Sequence, residues 1–228
     1  MTTHSQLKKT ARLTGIWYLL MAISGLLGFM VFHPQLFVDD PQQTLTNLQE
    51  QESLARVRLV LEFIIIISQA LTAVWFYRLF RGINEWGAWT LGIWGMVNSV
   101  AIMISAIAMG TALEVAWRTT DATDGVLASI TTLSSLVTNA WGIGSLFFGL
   151  WLIPMGYIVT SSTCMPLWLG RTLIIGGAGY LLSTFLQYLG MDGMVTELLV
   201  IPATIGEFWM IGYLLIFGIR PAGNESGS

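Results

Sequence analysis

Apolar residues fall along the chain in blocks of about 20, separated by short polar stretches, and a helix of that length crosses a hydrocarbon core of roughly 30 Å. Six blocks predict helices over residues 13–32, 57–80, 86–113, 134–159, 170–189 and 197–219. Alternating apolar and polar segments flanked by aromatic girdles, the pattern of a membrane barrel, do not occur. Between the first two blocks, DDPQQTLTNLQE reads as a short helix. Asp40 caps it, Pro41 suits its first turn and Gln43 completes a capping box. Leu45 and Leu48 give this piece an apolar stripe that suits the membrane surface, with a solvated loop as the alternative. The fold class is therefore all-α: an integral membrane bundle of six transmembrane helices with a short surface helix after helix 1. It is expected to form a single membrane domain over residues 1–228, with 221–228 a flexible cytoplasmic tail.

Composition agrees with the pattern. The 228 residues are 54% hydrophobic and only 10% charged, against roughly 25% charged for an ordinary soluble domain. A net charge of −3 without a basic patch excludes a nucleic-acid partner. The single cysteine, Cys164, cannot form an internal disulfide. Lys8, Lys9 and Arg12 precede an apolar run longer than the 7–15 residues of a signal-peptide core, so an uncleaved first helix is expected. Orientation follows from the basic residues. Lys8, Lys9, Arg12, Arg78, Arg81, Arg171 and Arg220 fall on one side of the spans, against Arg56, Arg58 and Arg118 on the other. This predicts a multi-pass protein of the cell membrane, a bacterial inner membrane, with both termini cytoplasmic.

Small residues at close spacing, including Ala106 with Gly110, Gly179 with Ser183 and the run Gly176-Gly177-Ala178-Gly179, predict tight helix packing. Pro154 and Pro202 fall inside or near helices and are expected to kink them. Trp86, Trp89, Trp168 and Tyr77 sit near predicted span ends, where aromatic rings anchor helices.

The stretches TLTNLQEQESLARVRLVLEF and FFGLWLIPMGYIVTSSTCMPLWLGRTLIIGGAGYLLST carry a resemblance. With Ala11-Arg12, Gly15, Tyr18, Thr44, Asn47, Arg56, Tyr77-Arg78-Leu79-Phe80 and Gly206-Glu207, in order and at spacing, the sequence resembles the bacterial multi-pass membrane family known as domain of unknown function 4386. The resemblance covers nearly the whole chain. It implies a six-helix membrane protein of unknown activity and supplies no chemistry.

Candidate chemistry comes from polar residues inside the spans. An ionised group at the bilayer centre costs at least a few kcal/mol, so each asks for a partner or a use. Arg58, Glu62 and Gln69 share one face of the second helix at spacings of four and seven, with Arg56 pointing elsewhere. Asn98 and Asn139 lie inside the third and fourth spans, and Glu207 near the middle of the sixth. The predicted site is a polar cavity open to the non-cytoplasmic side, lined by Arg56, Arg58, Glu62, Gln69, Asn98, Asn139 and Glu207. There Glu207 is paired with Arg56, bonded to Asn98 or Asn139, or neutral. The alternative is a polar clamp that only joins helices.

His4 and His33 are too far apart in kind and place to hold a haem or, with one cysteine, a zinc ion, so no cofactor or metal is expected. No P-loop, nucleophile elbow or dinucleotide fingerprint is present. Three readings of function stay open. The first is a transporter or binder of a small polar or amphipathic molecule, in which a homo-oligomer supplies the missing symmetry. The second is a non-catalytic partner or sensor subunit. The third is a membrane enzyme that uses Glu62 and Glu207 as acid and base on a lipid-like substrate. The expected partners are the lipid bilayer, a small-molecule or lipid-like ligand and a second copy of the chain.

Overall fold

A computed structural model describes residues 4–191 and 193–220. The predicted tail at 221–228 lies outside the described residues. The elements in chain order are α1 (His4–Gly25), a π-helical stretch (Leu26–Phe32), α2 (His33–Leu36), α3 (Pro41–Glu50), α4 (Glu52–Phe80), α5 (Glu85–Arg118), α6 (Asp124–Thr160), α7 (Leu167–Tyr188) and α8 (Met194–Ile216). Six helices among the described residues are long and apolar enough to cross a membrane, the first of them a continuous run over Ser5–Leu36. The architecture is that of a multi-pass membrane protein. Its outward faces carry large apolar side chains such as Ile67, Val74, Ile107 and Ile175, each more than half exposed, as lipid-facing surfaces do.

Spans run further than their apolar blocks. Helix α6 begins at Asp124, ten residues before the predicted start, and takes in LASITTLSS. The reason is local: Ser129, Thr131 and Thr132 donate to the carbonyls of Gly125, Leu127 and Ala128, so the hydroxyls are satisfied on the helix itself. Both Pro154 and Pro202 lie inside helices.

The chain folds into two compact units. The first gathers residues 1–19, 69–98 and 145–228. Its spans meet at glycines. A Cβ on Gly176 or Gly179 would collide with the backbone of Ala203 or Leu199, so α7 and α8 touch main chain to main chain. Gly156 and Gly170 bring α6 and α7 together in the same way. The centre of this unit is a triangle of rings. Tyr18, Phe76 and Trp151 meet edge to face at centroid distances of 5.6, 5.7 and 5.6 Å.

The second unit gathers residues 20–68 and 99–144. Here α3 forms where the sequence places it, with Asp40 accepting from the Gln42 amide at 3.1 Å. Gln43 does not close a capping box but donates to Asn47 at 2.9 Å. The apolar stripe of α3 also has a different use. Leu45 and Leu48 are buried against Ala108, Met109, Ala112 and Leu113 of α5 and against Ile130 of α6, so the stripe packs on the protein instead of on a membrane surface. Gln49 donates to the carbonyls of Ala116 and Thr119 at 2.9 and 3.0 Å, which ties α3 to the end of α5.

Candidate functional site

In the second unit, α4 carries Arg58 and Glu62 one turn apart, both fully buried, with their charged atoms 2.9 Å apart. The same Glu62 oxygen accepts from Ser105 of α5 at 2.7 Å and from the indole N–H of Trp141 of α6 at 3.1 Å. Three helices are thus joined through one carboxylate. The second Glu62 oxygen and the Nε and Nη1 of Arg58 have no hydrogen-bond partner among the described residues.

The π-helical stretch lies over this cluster. At Gly28 a Cβ would sit 3.4 Å from Leu61 and 3.9 Å from Arg58 Cδ, ordinary van der Waals distances, so the stretch lies against the arginine stem. Phe29, His33 and Phe37 stack at 4.9 Å intervals, and Phe29 stacks on Trp141 at 4.5 Å. His33 therefore stands in an aromatic ladder, within electrostatic reach of Arg58. A π-helical insert in a membrane span breaks the regular ladder of backbone bonds, and such inserts cluster at functional sites.

In the first unit, Glu207 accepts from the Tyr18 hydroxyl at 2.7 Å. Gly15 makes this bond reachable. Its absent Cβ would lie 3.0 Å from Leu214 Cβ, so α1 approaches α8 closely, and Tyr18 follows three residues later on the same face. The Tyr180 phenol lies within electrostatic reach of Glu207. Among the described residues Glu207 forms no ion pair. Glu207 stands about 20 Å along α8 from its start, at ~1.5 Å per residue.

Gln69 and Asn98 are also in the first unit, fully buried, and neither amide has a hydrogen-bond partner among the described residues. The contact of Ala73 with the Gly95 position puts them at one level of the α4–α5 hairpin, a turn away from the ring triangle, whose Trp151 N–H is likewise unpartnered. Buried polar groups of this kind are few in any protein and each calls for an explanation.

Two expected placements are corrected. Arg56 does not pair with a buried acid. It bonds Glu52 at 2.7 Å with both side chains half exposed, and its guanidinium lies 4.2 Å from the Trp117 ring centre. Asn139 is not internal. It is exposed and donates to the Ser135 carbonyl at 2.9 Å, on the wall of a groove of about 280 Å³ shared with Asp39, Thr44, Ser134 and Thr138. Arg58, Glu62 and Gln69 are all fully buried.

The residues that sequence reasoning left out are Tyr18, Ser105 and Trp141, the donors to the two carboxylates. The available signal was an aromatic with a polar tip, or a serine, deep inside an apolar run.

The domain of unknown function 4386 matches residues 13–218, nearly the whole chain. The chain belongs to that family. Within the 4386 family's matched span lie all seven predicted site residues and all three donors. An uncharacterized protein of Archaeoglobus fulgidus is 29% identical over 69 residues, 30% of this chain and 43% of that relative. The match thus spans less than half of the relative's length. No solved structure matches.

Proposed function

We propose that the protein is a membrane binder or carrier of a small polar or amphipathic molecule, and that Glu207 is the group that meets it. The observation that carries this reading is the contrast between two carboxylates inside the spans, Glu62 fully buried and Glu207 partly buried. Glu62 has a guanidinium at 2.9 Å and two further donors. Glu207 has a phenol at 2.7 Å and no counter-ion among the described residues. A lone carboxylate in a span is stable when it takes up a proton or faces a cationic or donor group of a ligand. Glu62 is a strut, and Glu207 is a place of exchange. The unpartnered amides of Gln69 and Asn98, in the same unit, add neutral donors and acceptors suited to a polar molecule.

The distribution of Lys and Arg supports cytoplasmic termini in the cell membrane, which puts the groove beside Asp39 and Thr44 on the opposite side. The enzyme reading has less support, because each carboxylate has partners of its own.

Native mass spectrometry of the detergent-purified protein, followed by extraction, tests the proposal. Wild type is expected to retain a small molecule that Glu207→Gln does not, at equal thermal stability. The same molecule at the same occupancy in both would overturn the reading.

A further inference from the structure

The end of α8 carries a feature independent of either carboxylate. A groove of about 410 Å³ is lined by Lys8, Pro166, Trp209, Tyr213, Phe217 and Arg220. Its composition is divided. Trp209 and Phe217 offer exposed rings, 39% and 62% accessible, and Phe217 is packed at 5.3 Å on Tyr213. Lys8 and Arg220 are exposed cations, and among the described residues neither forms an ion pair. Among the described residues no acidic residue lines the groove.

The backbone sets where both side chains start. Helix α8 stops at Ile216, and Gly218 turns the chain with φ +74°, a conformation that favours glycine. A Cβ at Gly218 would lie 3.3 Å from Lys8 Cγ, so the lysine stem packs on this turn. The Arg220 amide then donates to the Cys164 carbonyl at 3.0 Å, which fixes where the guanidinium begins. Two cations thus stand at the end of a span, beside an aromatic wall that continues down the span. An anionic lipid has this division: a phosphodiester at the interface and acyl chains below it.

We infer that this groove binds the headgroup of an anionic phospholipid, with Lys8 and Arg220 on the phosphodiester and the acyl chains along Trp209 and Phe217. Arg220 can meet two phosphate oxygens at once, and Lys8 acts as a point charge. The aromatic wall selects a lipid over a free anion, since inorganic phosphate gains nothing from Trp209 or Phe217. Juxtamembrane cations attract anionic lipids in general. A built site must do more than that.

The test is native mass spectrometry of the full chain in mild detergent, titrated with phosphatidylglycerol or phosphatidylcholine. Wild type is expected to keep one phosphatidylglycerol under activation that strips phosphatidylcholine. Lys8→Gln/Arg220→Gln is expected to weaken phosphatidylglycerol retention at least tenfold, and Lys8→Gln alone about threefold. Arg81→Gln/Arg171→Gln removes the same charge outside the groove and is expected to change retention less than twofold. Millimolar inorganic phosphate is expected to displace nothing. Equal retention of the two lipids, equal losses in the two double variants, or displacement by inorganic phosphate would each overturn the site.

Discussion

Replacing Arg58 with methionine removes the cation from the Arg58–Glu62 pair and leaves a carboxylate that is fully buried. Ser105 and Trp141 still donate to it, but neither brings charge. Breaking a buried pair from one side costs on the order of 3–5 kcal/mol, because the remaining charge has lost its compensation. The internal control is Arg56, two residues away. Its bond to Glu52 joins half-exposed side chains, worth about 0.2–1 kcal/mol, and its stacking on Trp117 adds about 0.5–1 kcal/mol. Arg56→Ala should therefore cost less than Arg58→Met. Replacing both members, Arg58→Met/Glu62→Leu, should recover most of the loss, since apolar groups of similar volume often substitute for a buried pair without penalty. Reversible unfolding in mixed micelles, scored by tryptophan fluorescence, measures all three. An Arg58→Met loss no larger than that of Arg56→Ala would refute the buried-pair argument, and a double variant worse than Arg58→Met would refute its electrostatic basis.

Gly179→Val places a branched side chain against the Leu199 carbonyl, where even a Cβ does not fit. It should destabilise by at least about 1–3 kcal/mol, read in the same unfolding assay. Gln49→Ala removes both bonds to the end of α5 and should raise amide exchange around Ala116–Thr119 while leaving the rest of α5 protected. Burial pushes the Cys164 thiol above its usual range, so little thiolate is present at neutral pH. Maleimide labelling of the folded protein should be slow there and should keep accelerating as the pH is raised beyond the point where a free cysteine's rate levels off.

The spans were readable because length and apolarity alone define them. Their facing was not. In a membrane the lipid-exposed side of a helix is as apolar as the packed side, so Ile65, fully buried, and Ile67, 56% exposed, look alike in the sequence. Asn139 was placed by depth, and depth carries no azimuth: its neighbours Val137 and Ala140 are buried while it is exposed. Polar spacing did carry azimuth in α4, where Arg58, Glu62 and Gln69 share a face. Arg56 is two residues from Arg58, about 200° around the helix at 100° per residue, and so points outward. The π-helical stretch at Leu26–Phe32 had no signal, since LLGFMVF reads as any apolar segment. The burial of α3 against α5 was hidden for another reason: a stripe of Leu45 and Leu48 suits a lipid surface and a protein surface equally.

The most direct test of Glu207 as the place of exchange is infrared spectroscopy of the protein reconstituted in lipid, recorded over a pH series for wild type, Tyr18→Phe and Glu207→Gln. Carboxyl groups other than Glu207 are common to the three proteins and cancel in the difference spectra, which leaves the protonated-carboxyl band of Glu207. The account predicts such a band at the acid end of the series in wild type, shifted in Tyr18→Phe and absent from Glu207→Gln. Wild-type and Glu207→Gln spectra that superimpose in the carboxyl region throughout the series would contradict it.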